Sequence, residues 1–192
     1  MPPRFVILHG WENRRPSDHW EHWLSDELAA RGHEVDYPQL PEPDAPDLAT
    51  WLELLDGLVT RGEREVTLVA HSLATSLWLT RLARGGSTGL VTRLALVAVP
   101  SPSMLAPTIV GSFVGFAPRL EALPGVETRV FEGEGDEYSP GGLRAEFDVD
   151  PGVPVELVPG GGHLIPATGF GPWPRMLEWA LGDGARGGML DA

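Results

Sequence analysis

The chain of 192 residues contains no cysteine. That excludes a disulfide framework, a thiol nucleophile and any cysteine-ligated zinc or iron-sulfur centre. Basic residues are scarce as well: 14 Lys and Arg stand against 27 Asp and Glu, giving a formal net charge of -13 and an isoelectric point near 4.7. The cations are scattered rather than striped, so nucleic acid is not an expected partner, and the acidity mainly favours solubility. Long apolar runs are missing too. The run that follows Met1-Pro2-Pro3-Arg4 is too short for a signal-peptide core, and no later segment reaches membrane-spanning length. The expectation is a cytoplasmic protein without a membrane partner; oligomeric state is left open.

What is present fits a soluble globular chain: 42% hydrophobic and 21% charged residues, with a mean hydropathy of -0.06. Residues 1–182 are expected to form one domain, large enough to bury a core without metals, followed by a flexible glycine-rich tail at 183–192. Six short apolar runs read as buried strands: Arg4 to Leu8, Glu34 to Tyr37, Val66 to Ala70, Arg93 to Val99, Thr128 to Phe131 and Val155 to Val158. Amphipathic stretches lie between and after them, at His19 to Arg31, Asp47 to Thr60, Leu73 to Arg84 and Pro174 to Leu181. Such alternation predicts an α/β fold, a three-layer sandwich in which helices cover both faces of a six-stranded parallel sheet. Ligands then bind beyond the carboxyl ends of the strands. The proline-rich stretch Pro38 to Pro46 is a loop. Thr108 to Pro118, uncharged and built around Phe113 and Phe116, has two readings, a pocket lining or a core segment.

The third strand runs directly into His71-Ser72-Leu73, where a helical pattern begins. This strand-turn-helix setting is that of a nucleophile elbow, in which small residues two before and two after the serine relieve crowding. Here they are Ala70 and Ala74. A serine hydroxyl needs a neutral imidazole within reach and a third group to orient that ring. Of six histidines, His163 is the best placed, after Pro159-Gly160-Gly161-Gly162 at the end of the last strand. His71 adjoins the serine and His33 ends a helix. His19 and His22, beside Asp18, form a possible metal pair, but without a recognisable third ligand a solvated or packed helix face is the expectation and no metal is predicted. Past the fifth strand, Glu134, Asp136 and Glu137 all compete to orient the ring. The oxyanion of an acyl-transfer intermediate requires backbone N–H donors. The amides of Leu73 and of Trp11, in His9-Gly10-Trp11 after the first strand, are assigned to that part.

These residues resemble the compact serine hydrolases that include retinoblastoma-binding protein nine and the bacterial YdeN-like proteins. The resemblance covers most of the chain: Ile7-Leu8-His9-Gly10-Trp11, Asp18-His19-Trp20 with Trp23, Ala70-His71-Ser72-Leu73-Ala74, Asp136-Glu137-Tyr138, Gly162-His163-Leu164-Ile165 and Gly169-Phe170-Gly171-Pro172-Trp173-Pro174. It implies a minimal α/β-hydrolase fold without a large cap domain, and it favours Asp136 over its acidic neighbours. Ala74 departs from a glycine in the family pattern, and Glu137 from a proline that commonly follows the acid. The expected activity is hydrolysis of small carboxylic esters or related acyl compounds by Ser72, His163 and Asp136, with no cofactor. Two alternatives use the same fold: transfer of the acyl group to another acceptor, and a binding protein without catalysis. Trp20, Phe113, Phe170 and Trp173 are expected, with Trp11, to give the pocket an aromatic wall, although seven tryptophans also need burial.

Overall fold

Short runs of Val, Leu and Ile too brief for helices form strands here, and those at the centre of the sheet are apolar on both faces and covered on both. In the computed structural model, which describes residues 1–182, the strands are β1 (Arg4–Leu8), β2 (Val35–Asp36), β3 (Val66–His71), β4 (Val91–Val97), β5 (Arg119–Leu120), β6 (Glu127–Gly133), β7 (Asp148–Val149) and β8 (Val155–Val158). The helices are α1 (Trp20–Ala30), α2 (Leu48–Thr60), α3 (Leu73–Ala83), α4 (Pro102–Leu105), α5 (Leu143–Glu146) and α6 (Pro174–Leu181), with 3-10 turns at Gly111–Phe113 and Pro166–Thr168. Six strands make one sheet in the order β2-β1-β3-β4-β6-β8, every pairing parallel. The expected tail, 183–192, lies outside the described residues.

The period of two along each strand divides the core into halves. Val6 and Leu8, Leu68 and Ala70, Leu94 and Leu96 point to one side, where Trp51, Leu55, Leu77 and Trp78 from α2 and α3 cover them. Phe5 and Ile7, Val69, Ala95 and Val97 point to the other, against Trp20, Leu24 and Leu28 of α1 and Met176, Leu177 and Trp179 of α6. The expected three-layer α/β architecture is therefore the one observed. Caps match local chemistry: Asp47 accepts from the Thr50 amide at 2.8 Å, and Pro174 opens α6, where its missing N–H is harmless.

Several boundaries move. The second strand contracts to Val35–Asp36 at a sheet edge, and the fourth begins at Val91 rather than Arg93 and ends at Val97. Ala98 then turns with φ 49°. Arg119–Leu120 and Asp148–Val149, absent from the sequence reading, pair in a separate two-stranded sheet. The stretch Thr108 to Pro118 splits: Val110 and Phe113 are buried in the core, Ile109 is exposed, and Phe116 and Ala117 line a second, apolar cavity of about 420 Å³ between α3 and β4.

Candidate active site

Ser72 occupies the turn between β3 and α3, with φ 53° and ψ -122°. A side chain at such angles is strained by about 1–3 kcal/mol. The turn is held by its neighbours: the Ser72 amide donates to the Val97 carbonyl at 2.9 Å, and its carbonyl accepts from Thr75 at 2.9 Å. Ala70 and Ala74 are fully buried beneath it. Gly10 packs so closely that a Cβ there would stand 2.7 Å from the Ser72 Cβ and 3.1 Å from its Oγ.

His163 reaches this hydroxyl from the loop after β8, with Nε2 2.8 Å from Ser72 Oγ. Its Nδ1 donates to both carboxylate oxygens of Asp136, at 2.8 and 2.9 Å, and Oδ1 also accepts from the Tyr138 amide at 2.9 Å. Both His163 and Asp136 are buried. The two loops meet through backbone: the Gly162 amide donates to the Glu134 carbonyl, and a Cβ on Gly133 would fall 1.9 Å from the Gly162 carbonyl oxygen. Glu134 and Glu137, the rival acids, are exposed; Glu134 instead accepts from the Gly160 amide at 3.0 Å.

Ser72, His163, Trp11 and Leu73 line one cavity of about 350 Å³, together with Gly10, Glu12, Asn13, Arg14, Leu105, Tyr138 and Ile165. The amides of Trp11 and Leu73 have no hydrogen-bond acceptor among the described residues. His9 shapes this rim from below: its Nε2 accepts from the Leu40 amide at 2.9 Å, so its Nδ1 carries the proton and donates to the Gly10 carbonyl at 2.8 Å. Burial holds its imidazole down at about 4, against the usual 6.5, despite that bond to Gly10 and helped by the Arg15 charge.

Of the five residues expected to form an aromatic wall, Trp11 lines the cavity and the other four, Trp20, Phe113, Phe170 and Trp173, do not. Phe113 packs edge-on against Trp51 in one half of the core, with ring centres 5.4 Å apart, while Trp173 meets Trp20, Phe131 and Phe170 in the other. Trp20 has a different task. Its indole N–H donates to the Leu164 carbonyl at 2.8 Å, and Leu164, at φ 54°, is the residue after His163. Composition cannot separate a pocket aromatic from a core one. Tyr138, two residues past the acid, has no assigned role in the sequence reading; its ring lies 4.5 Å from that of His163.

His19 and His22, named above as a possible but not favoured metal pair, have different surroundings. His22 Nδ1 faces the Arg15 carbonyl at 3.1 Å, whereas His19 caps α1 by accepting from the Glu21 amide at 3.3 Å and sits beside Glu21 and His71, with donor atoms of all three within 4.8 Å of one another. All three are buried. Burial pushes the Glu21 carboxyl up to about 8, against bonds from Tyr37 and Asn13 that favour ionisation. It holds His19 down at about 4, with Asp18 opposing, and His71 well below its ordinary value, with the nearby His163 adding to the effect. His19 and Glu21 are thus neutral neighbours rather than an ion pair.

With the fold and this geometry in view, the chain matches a family model described as serine hydrolase over residues 5–180. It belongs to that family. Over 73 residues it is 34% identical to YdeN, a Bacillus subtilis (strain 168) protein that bears a hydrolase name, but that alignment spans 38% of each chain. The crystal structure of the YdeN gene product superposes with a TM-score of 0.67 at 22% identity, covering 96% of this chain and 100% of that one. A YdeN-like hydrolase from Pectobacterium atrosepticum gives 0.69 at 18% identity, with 93% and 89% covered. The thioesterase RedJ of Streptomyces coelicolor gives 0.55 at 14%, with 95% and 89% covered. At these identities the structures support a common fold. Among the described residues no helix is long and apolar enough to cross a membrane.

Proposed function

We propose that the protein hydrolyses small carboxylic esters or related acyl compounds through an acyl-enzyme on Ser72. The observation that carries this reading is the continuous chain from Ser72 Oγ through His163 to Asp136, with contacts of 2.8 to 2.9 Å. His163 Nε2 takes the Ser72 proton as Oγ attacks the carbonyl carbon. Asp136 keeps the imidazole proton on Nδ1, leaving Nε2 as the base, and stabilises the imidazolium that forms. The developing oxyanion is received by the free amides of Trp11 and Leu73, each worth about 3 kcal/mol, and the N-terminal end of α3 adds its dipole. The imidazolium then gives its proton to the departing alcohol. Water, activated by the same nitrogen, releases the acid and restores Ser72.

The cavity of about 350 Å³ sits at the small end of the usual range for ligand sites. It mixes apolar Trp11, Leu105 and Ile165 with polar Asn13 and Arg14, which favours a short acyl chain over a long one. A thioester is an acyl compound of the same kind, and the thioesterase likeness of one fold neighbour supports its inclusion in a screen. The direct test is a fluorophosphonate probe with peptide mapping. Label on Ser72 that disappears in Ser72→Ala supports the reading; folded wild-type protein that takes no label contradicts it.

A further inference from the structure

Three buried polar side chains, His19, Glu21 and His71, take no part in the steps above, although His19 and His71 line the same cavity and the His71 ring lies 5.3 Å from that of His163. His71 precedes the nucleophile, and its Nε2 faces the backbone carbonyl of His163 at 3.0 Å. A carbonyl only accepts, so Nε2 carries the hydrogen and the neutral ring leaves a bare lone pair on Nδ1. Nδ1 has no hydrogen-bond partner. The atom it faces is Oε1 of Glu21, 3.9 Å away and also unpartnered. Oε2 is occupied, accepting from Tyr37 Oη at 3.2 Å and Asn13 Nδ2 at 3.0 Å. Oε2 also lies 3.3 Å from His19 Nδ1, but the lone pair there already accepts from the Glu21 amide, which leaves Oε1 to carry a carboxyl proton directed at the His71 lone pair.

We propose that Glu21 is a positioning residue for His163: its buried carboxyl group, through His71, holds the His163 backbone carbonyl and so fixes the angle at which Nε2 meets Ser72. This rests on the triad reading. The separation is longer than a hydrogen bond, so the contact is an electrostatic complementarity between a carboxyl proton and a ring lone pair. Ionised, the carboxylate sets lone pair against lone pair in a site that also disfavours a charged imidazole. The raised carboxyl value of about 8 places that change on the alkaline side of neutrality. The groups packed around Glu21 are His19 on its own helix, Asn13 and Tyr37 from the loops after β1 and β2, and His71 on β3. Behind them stand Arg15, whose guanidinium lies 4.6 Å from the Tyr37 ring centre, and Asp18, His9 and His163.

The test measures kcat and KM for p-nitrophenyl acetate from about pH 6 to about pH 10 on the full chain. The proteins are wild type, Glu21→Gln and Glu21→Leu, with Ser72→Ala for background and circular dichroism to verify folding. Glutamine supplies an N–H donor that does not titrate. The expected result is a wild-type kcat that falls above about pH 8 at constant KM. Glu21→Gln keeps kcat near wild type at neutral pH without the alkaline fall, and Glu21→Leu loses roughly tenfold or more in kcat at every pH. An unchanged alkaline fall in Glu21→Gln, a wild-type kcat in Glu21→Leu, or equal losses in both variants overturns the proposal. If Glu21→Leu does not fold, the pH profile of Glu21→Gln decides. Wild-type activity that rises with added zinc or vanishes with a chelator assigns the cluster to a metal and overturns the proposal too. Failure of the wild type to take fluorophosphonate on Ser72 strikes the triad reading instead.

Discussion

Gly10 shows how little room a single residue has at this site. Any side chain there must displace Ser72, because even a Cβ would stand 2.7 Å from the Ser72 Cβ. Gly10→Ala is expected to lower the fluorophosphonate labelling rate roughly 100-fold while the protein stays folded, which labelling kinetics alongside thermal denaturation will check. His9, one residue earlier, couples the same rim to pH. Its folded pKa of about 4 lies below the usual 6.5, so the unfolded chain binds the proton first. The stability His9 contributes is complete above about pH 6.5 and is lost as pH falls toward 4, on the order of 3 kcal/mol in all. The stability gap between wild type and His9→Gln should narrow over that window in urea melts. A constant gap would refute the neutral, bonded imidazole described here. Glu21 acts with the opposite sign, since a raised carboxyl loses its contribution as pH rises, which is why the difference between variants is the informative quantity.

At the scale of elements, the strand ends and the loops that leave them decide which side chains meet. β6 and the loop after β8 approach backbone to backbone at Gly133 and Gly162, and this contact brings Asp136 to His163. Gly133→Ala is expected to force the loops apart, costing about 2 kcal/mol or more and removing labelling of Ser72; thermal melts and labelling measure the two effects separately. All six strands of the main sheet were legible as apolar runs, since strands buried on both faces announce themselves by composition. Their order along the chain, alternating with amphipathic stretches, made the parallel sheet legible as well. The pair Arg119–Leu120 and Asp148–Val149 was not, because two-residue strands exist only through each other. Ser72, His163 and the Gly10 loop were visible from their places at strand ends. Asp136 needed a family resemblance to separate it from Glu134 and Glu137, because exposure is decided by the loop's path and not by its residues. Glu21 was invisible for a related reason: an acid in the first turn of a helix ordinarily complements the helix dipole, and only the packing of α1 against β3 buries it.

For the whole molecule, a three-layer sandwich brings chemistry from the ends of β1, β3, β6 and β8 to one rim, which is where a parallel sheet collects ligands. The two halves of the core give that rim a rigid floor, and aromatics expected in the pocket serve the floor instead. Trp20 is the clearest instance, joining α1 to the His163 loop through the Leu164 carbonyl. The central claim is that this rim carries an acyl group on Ser72. It is tested most directly by mixing the full chain with p-nitrophenyl acetate, quenching in acid and measuring the mass of the Ser72 peptide. The account predicts one added acetyl group on that peptide, matched by released p-nitrophenol and absent from Ser72→Ala. Undiminished hydrolysis by Ser72→Ala, or acetyl groups found only on other residues, would contradict it.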